Sequence, residues 1–575
     1  MLPKYKKFLK NLKKDEKNIL KKGFFGLELE KNRIYEDGMM ARSSHPKDLG
    51  KPLTNSFFTL DFSEAQTEFI TPLSSSCTGS QNFMLDLQVY AQQFIGRELY
   101  WPLSMPCALP QSAKIPIADF GKTERAKKSK IYRLGLAKRY GKNMQTICGT
   151  HFNFNFDEKL WDILYKKFGQ KRDKEEFINN SYFKIQRNYM RLAWFITYLF
   201  GASPAAHKSY FKFRPIKLKK QGDYYYGKYA TSLRMSSYGY FSKVQSQLSI
   251  SQNSLGEYIE DMRYALNKER KDYRKIKNQL NSNILQNESE YYSPIRPKQH
   301  MVNRESLLNA LQDKGIKYLE IRSLDLHPHS LSGILPDQIC FMHLFLIYCL
   351  FYGEKTIDEV ERSEINKNLA SVALYGRKPG LKLLKNGKNI SLKKWGTSIM
   401  KDIISLANEI GFCNKSLSKK FEQHALAFKD PELTLSAKIL EEIKSEGSYL
   451  EYGIKLADQG KYKLKKHKIS AQNLKKINEE IENSQLKMEK EKRLSGYYLE
   501  GYENLEVSTQ IVIREALKRK IQVKVLDESE SFIELKKGKK NEYVKQASKT
   551  SLDSYITFLI MENKKVSKYV LRQAK

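Results

Sequence analysis

No C-x-x-C pair and no regular spacing link the six cysteines of this 575-residue chain, which are Cys77, Cys107, Cys148, Cys340, Cys349 and Cys413. That argues against a disulfide framework or a clustered-thiolate zinc site, and it makes a reducing cytoplasm the expected setting. A G-x-x-x-x-G-K-[ST] loop is missing as well, so any bound phosphate must be held by other means. The longest apolar stretch, Cys340–Gly353, falls short of the ~18 residues a membrane helix needs and reads as a buried helix. Nor does the Lys-rich start, MLPKYKKFLKNLKKDEKN, contain the apolar core of a signal peptide. No membrane partner is therefore expected, and no Ser/His/Asp or Cys/His triad stands out. Acidic residues are scarce relative to basic ones, with a net charge of +37. The excess is mostly Lys spread along the whole chain, with no compact Arg-rich block, recognition-helix signature or RNP-like aromatic motif. A specific nucleic-acid partner is not expected, only weak polyanion affinity at low salt.

What is present suits a large globular protein: 41% hydrophobic and 12% aromatic residues can build a core and more than one domain. Four short segments then place acidic or metal-binding side chains on one face of what reads as a β-strand. Side chains alternate along a strand. In Gly26-Leu27-Glu28-Leu29-Glu30, Leu27 and Leu29 face a core while Glu28 and Glu30 point together to the other side. In Thr150–Phe156, His151, Asn153 and Asn155 lie opposite Phe152, Phe154 and Phe156. Tyr318, Glu320 and Arg322 share one face in the same way, and the Asp61–Thr71 stretch adds Asp61 and Glu68. So many carboxylates on one face repel one another unless cations neutralise them. Oxygen ligands with one imidazole suit Mg²⁺, or Mn²⁺, better than zinc or copper. This pattern predicts a metal-dependent enzyme.

Residues 1 to about 22 are Lys-rich with helical spacing of Leu2, Tyr5, Phe8, Leu9, Leu12 and Ile19, which predicts a surface helix. Strand and helix patterns mix up to about residue 330, with helices expected over Gln81–Arg97, Ser181–Leu199 and Leu255–Gln279. Asp337 to Gly447 reads as mostly helical, with a turn at Arg377-Lys378-Pro379-Gly380. From Gly460 to about Ser495, Lys, Glu, Asn and Gln dominate, which predicts a charged helix or linker that packs little of itself. Beyond it, helices over Val507–Ala516 and Ser551–Glu562 flank short strands at 522–526 and 532–535, forming a small α/β segment. The expected organisation is a catalytic domain at 1–459, a charged helical linker at 460–497, and a C-terminal segment at 498–575.

Nine segments in fixed order then carry a family resemblance: GLELE (26–30), TLDFSEAQTEFITP (59–72), WPLSMPC (101–107), RYGKNMQTICGTHFNF (139–154), YLFGASPA (198–205), YATSLRMSSYGY (229–240), NSNILQNESEYYSPIRPK (281–298), YLEIRSLDLHP (318–328) and GRKPGL (376–381). From about residue 20 to 455 the chain resembles the glutamate–cysteine ligases of the gammaproteobacterial type. The resemblance implies an α+β catalytic fold like that of glutamine synthetase and the guanido kinases, with a curved, mainly antiparallel sheet and helices on its outer face. It also implies ATP-dependent joining of the γ-carboxylate of L-glutamate to the amine of L-cysteine, the first step of glutathione synthesis. By motif position, Glu28, Glu30, Asp61, Glu68, His151 and Glu320 are the expected metal ligands. Arg322 would stabilise the transferring phosphate or oxyanion, and Arg234 would pair with a substrate carboxylate. Gln145 and Thr146 would hydrogen-bond the amino-acid substrate, while Tyr132, Tyr240 and Tyr292 would line the cysteine pocket. Cys148 is expected in the core, and the His327/His329 pair is set aside as a metal site because a proline turn seldom aims both rings together.

The tail resembles the junction of the bifunctional glutathione synthesis enzymes, through GYENLEVSTQIVIREALKRKIQVKVLD (501–527) and NEYVKQASKTSLDSYITFLIMENKKVSKYVL (541–571). That implies the N-terminal start of a glycine-adding ATP-grasp module. Its nucleotide-binding region is not in the sequence, so the module is expected to be truncated, or completed by a separately encoded ATP-grasp partner. The alternatives that remain are a fragment of a bifunctional glutathione synthase and a ligase that uses another amine acceptor.

Overall fold

The computed structural model describes residues 9–573 except 170–172, 213–215, 241, 302–304, 496, 500, 503–504, 529 and 563. The described residues divide into two compact units: Met1–Gly121 with Ala126–His300 and Leu311–Leu486, and Lys122–Arg125 with Met301–Ala310 and Lys487–Lys575.

The first unit is built on a seven-stranded sheet of β1 (Gly23–Ile34), β2 (Phe58–Leu60), β3 (Gln66–Ile70), β4 (Leu99–Tyr100), β5 (Thr150–Phe156), β6 (Ile295–Lys298) and β7 (Tyr318–Leu324). The order is β2-β3-β1-β5-β7-β6, with β4 added along β1, and every pairing is antiparallel. One face is apolar, as the alternation requires: Leu27, Leu29, Phe152, Phe154, Leu319 and Ile321 are fully buried. Two helices, Cys77–Gln92 and Pro336–Tyr352, cover that face. His343 of the second sets its ring against Phe25, Phe154 and Phe156. Lys31 shares the parity of Leu29 and is buried there, its ammonium donating to Gln88 Oε1 at 2.8 Å and to the Leu331 carbonyl at 3.0 Å. Burial pushes its pKa down to about 7. The α+β architecture with an antiparallel sheet and helices on one face is the expected one.

Several boundaries differ from the sequence reading. Of the expected N-terminal helix, residues 1–8 lie outside the described residues; beyond them Leu9 is helical and Lys14–Ile19 forms a helix. Leu9, Leu12 and Leu20 are buried around it. The helix expected over Leu255–Gln279 stops at Asn267, because Glu269 bridges Asn283 and Arg270 N–H donates to Ser282 O, diverting the chain into local pairing. The helices at Cys77–Gln92 and Lys174–Phe200 start earlier than their periodicity suggests. In the helical stretch after residue 337, a hairpin of Lys382–Lys385 and Lys388–Ser391 is inserted just past the Pro379-Gly380 turn. The charged stretch packs more than its composition suggests. Helix Ala471–Ser495 buries Ile477, Ile481 and Ser484, spaced four and three residues apart, and Ser484 Oγ accepts from Lys51 N–H.

The second unit pairs helix Val507–Lys518 with a four-stranded antiparallel sheet of β8 (Gln522–Asp527), β9 (Phe532–Lys537), β10 (Lys540–Lys545) and β11 (Lys549–Thr550). Its buried core is small: Leu505, Ile513, Ile533 and Val544. Ile511, Ile556 and Leu559 are exposed, whereas Val512, Val523 and Val525 are half-buried against that core.

Candidate active site

Strand register assembles the polar face. Glu28 stands opposite His151 across β1 and β5, Glu30 opposite Glu68 across β1 and β3, and Glu320 opposite both Asn153 and Arg296. Directly opposed residues have Cβ atoms about 5 Å apart, so side chains remote in sequence meet. Among the described residues two groups could each hold a metal, and His151 belongs to both: Glu28, His151 and Glu320, and Glu30, Glu68 and His151. In each group the donor atoms lie within 4.8 Å of one another. Asp61 belongs to neither group, but it lines the same cavity as Glu30, Glu68 and His151.

The two groups differ in how their charge is offset. His151 Nδ1 lies 2.9 Å from Glu28 Oε2, and Asn153 Nδ2 donates to Glu28 Oε1 at 2.8 Å. Glu320, 2% exposed at its side chain, receives Lys298 Nζ at 3.2 Å and Arg322 Nη1 at 2.9 Å. Burial alone would raise both acids, yet the His151 bond holds Glu28 below the usual carboxylate range, and Lys298 and Arg322 hold Glu320 well below it. On the other side burial, with Glu28, Asp61 and Glu30 close by, pushes Glu68 well above that range. Burial and Glu30 push Asp61 up to about 7. Carboxylates crowded into a shared site with one imidazole form a donor set that fits a hard divalent cation.

Glu30, Glu68 and His151 open with Asp61 into a cavity of about 810 Å³ that Arg234 and Arg322 also line, together with Gln145, Tyr132, Tyr240 and Tyr292. Arg234 is 1% exposed, and its Nη2 donates to the Arg322 carbonyl at 2.7 Å. The chain can come this close only because residue 149 is glycine: a Cβ there would sit 2.1 Å from Arg234 Nη2. Tyr240 and Tyr292 stack with centroids 5.4 Å apart, and Gln145 Nε2 donates to the Tyr292 hydroxyl at 2.9 Å. Thr146 departs from the expected role. It is fully buried, absent from the cavity lining, and its hydroxyl donates to the Asn143 carbonyl, which closes the short helix Lys142–Gln145. Cys148 is buried in the core, and His329 pairs with Glu442 at 2.9 Å, away from both carboxylate groups.

Sequence reasoning passed over Arg133, Arg296 and Lys298, all of which line the cavity. For two of them a signal was present: in Ile295-Arg296-Pro297-Lys298 the cations alternate as the acids of β1 do. Arg133 carries none, because it reaches the site from helix Glu124–Tyr140 by donating to the Leu60 and Asp61 carbonyls.

The family model for glutamate-cysteine ligase matches residues 9–372. The chain belongs to the glutamate–cysteine ligase family. It is thus an enzyme of the ligase class. A Shewanella halifaxensis glutamate–cysteine ligase is 38% identical over 470 residues, spanning 79% of this chain and 90% of the relative. The crystal structure of the Francisella tularensis glutamate–cysteine ligase in complex with AMP superposes with a TM-score of 0.78 at 30% identity, covering 87% of this chain and 98% of that one. Residues 503–556 match the model of an ATP-grasp-like domain. A glutathione biosynthesis bifunctional protein from Clostridium perfringens is 37% identical over 560 residues, which is 96% of this chain. The chain spans 65% of that relative's length. That relative carries its parts in one polypeptide, which lends no support to a separately encoded partner. Among the described residues, no helix is long and apolar enough to cross a membrane.

Proposed function

We propose that this cavity joins the γ-carboxylate of L-glutamate to the amine of L-cysteine, with ATP cleaved to ADP, by way of a γ-glutamyl phosphate. The observation that supports it most is the pair of carboxylate groups sharing His151 beside Arg322 and Arg234. Glu28, His151 and Glu320 on one side, and Glu30, Glu68 and His151 with Asp61 alongside on the other, would hold Mg²⁺, or Mn²⁺ in its place. A bound Mg²⁺ neutralises phosphate oxygens and offsets the charge that builds up in phosphoryl transfer. The remaining roles fall to the chain's own groups. Arg322, fixed by Glu320 and kept fully charged by the surrounding acids, presents a guanidinium fork to the transferring group. Arg234 orients the glutamate carboxylate. Gln145 with Tyr132, Tyr240 and Tyr292 forms the pocket for the acceptor amine and limits water at the acyl phosphate.

A product assay with ATP, Mg²⁺, glutamate and cysteine tests the reading, and γ-glutamylcysteine with stoichiometric ADP is the expected result. Product formed with another amine but not with cysteine would reassign the acceptor. A second reading, that this chain is part of a bifunctional glutathione synthase with a glycine-adding activity, is favoured by the match of residues 503–556 to an ATP-grasp-like domain. Repeating the assay with glycine tests it directly, since only that activity yields glutathione.

A further inference from the structure

On the sheet face opposite the cavity, the helices Cys77–Gln92 and Pro336–Tyr352 meet near their N-terminal ends. There Gln81 Nε2 donates to Ser332 Oγ and to the Ile334 carbonyl, each at 3.0 Å. Beside this contact, Cys77 Sγ and Cys340 Sγ lie 3.0 Å apart although 263 residues separate them in the chain. We propose that Cys77 and Cys340 are a redox modification site, a dithiol that a low-molecular-weight disulfide converts into an intramolecular disulfide stapling the two helices.

Proximity together with accessibility singles out this pair. Cys107, Cys148 and Cys349 are buried, while Cys77, Cys340 and Cys413 are half-buried. Burial pushes the Cys413 thiol up to about 11, leaving it a poor nucleophile. Cys340 behaves differently: its contact with Cys77 shifts its thiol below the ordinary range, while the same contact and burial push Cys77 up. With the two sulfurs in contact, Cys340 is the thiol that ionises more readily and Cys77 stands ready to resolve. Cys340 attacks one sulfur of the small disulfide, and the S–S bond breaks as one small thiolate leaves. Cys77 then gives up its proton and attacks the Cys340 sulfur of the mixed disulfide, expelling the second small thiol. Two protein thiols are oxidised and one small disulfide is reduced to two thiols, so atoms and electrons balance.

The staple would lie behind the strands that carry the site. The first helix is tied to β1 through Ser80 to the Phe25 carbonyl and through Gln88 to Lys31. The second helix follows β7 in the chain. Neither cysteine lines the cavity. Closing so long a loop makes the chain more resistant to unfolding while leaving the site's geometry alone. The inference uses no part of the ligase reading, so the two fail independently.

Thiol mapping of the full chain decides it. The protein is incubated with graded ratios of glutathione disulfide to glutathione, alkylated, digested and analysed by mass spectrometry. The expected result is joint loss of two thiols, a cross-linked peptide holding Cys77 and Cys340, a melting temperature raised by a few degrees, and turnover unchanged within about twofold. Cys77→Ser should stop at a mixed disulfide on Cys340, and Cys340→Ser should abolish the cross-link. Full alkylation of both thiols at ratios that oxidise the unfolded chain would overturn the proposal. So would a mixed disulfide that persists in the wild type, or a Cys340–Cys413 link. Should a serine variant fold poorly, the wild-type peptide map is decisive by itself.

Discussion

The carboxylates on either side of β1 stand in opposite electrostatic states. Toward β5 and β7, Glu28 and Glu320 are already met by His151, Asn153, Lys298 and Arg322, and both are held below their ordinary range. Toward β3, Glu68 and Asp61 face mainly other acids and are pushed up. Arg133 spends donors on the Leu60 and Asp61 carbonyls. One side is therefore close to its charged working form without a bound cation, and the other needs a cation to reach it. A protein can preorganise half of a polynuclear site with its own cations only where those cations do not also block the ligand oxygens.

The largest expected effect strikes the preorganised side. Arg322→Lys keeps the charge on Glu320 but loses the fork, and should lower kcat by roughly 10²-fold or more with little change in KM for glutamate or cysteine. Steady-state kinetics check this, and an unchanged kcat would leave Arg322 as a structural partner of Glu320 only. Next comes Asn153→Ala, which releases Glu28 Oε1 while sparing the β3 side. Asn153 Oδ1 is buried with no hydrogen-bond partner, a further reason to expect it beside a cation. Mn²⁺ binding followed by calorimetry or paramagnetic resonance should weaken roughly 10- to 100-fold at one class of site. Equal loss at every site would erase the distinction between the two sides.

The smallest effect concerns the β3 side and pH. Asp61 ionises near 3.9 in an unfolded chain and at about 7 in the fold, and Glu68 is raised as well. Between those values these two acids hold more protons in the folded, metal-free protein than in the unfolded chain, so their own contribution to stability falls as pH rises from about 4. His45, His207, His327 and His343, held below the ordinary imidazole range by burial, act in the opposite sense up to about pH 6.5. Asp61→Asn isolates the acids' share: relative to that variant, metal-free wild type should lose roughly a few degrees of melting temperature as pH rises from about 4 to about 8, and added Mg²⁺ should shrink the difference. A difference that does not fall with pH would mean that Asp61 is neutralised by groups of the chain itself.

Much of this site was legible before the fold was known, because strand parity is local. Leu27 and Leu29 against Glu28 and Glu30, or Phe152 and Phe154 against His151 and Asn153, could be sorted onto two faces from alternation alone. The ordered family motifs added Arg234, Gln145 and the three tyrosines. Thr146 lies outside the cavity lining although Gln145 beside it is part of it, because its own hydroxyl closes a short helix. The end of the helix begun at Leu255 was missed because the pairing that stops it lies in the chain after it, at residues 282–284.

What the sequence determined by itself is therefore everything that depends on neighbours along the chain: which residues share a strand face, where the apolar side lies, and which acids are available to a cation. Tertiary structure alone decided which of them meet. Glu28 faces His151 and Glu30 faces Glu68 because of strand register. A slip of two residues would preserve every parity and still separate the donors. The same holds for Cys77 and Cys340, which touch only because two helices remote in sequence cover one sheet face. Alternation follows from the backbone geometry of each residue, whereas register and helix contact follow from cooperative packing of the whole unit, which no local pattern encodes.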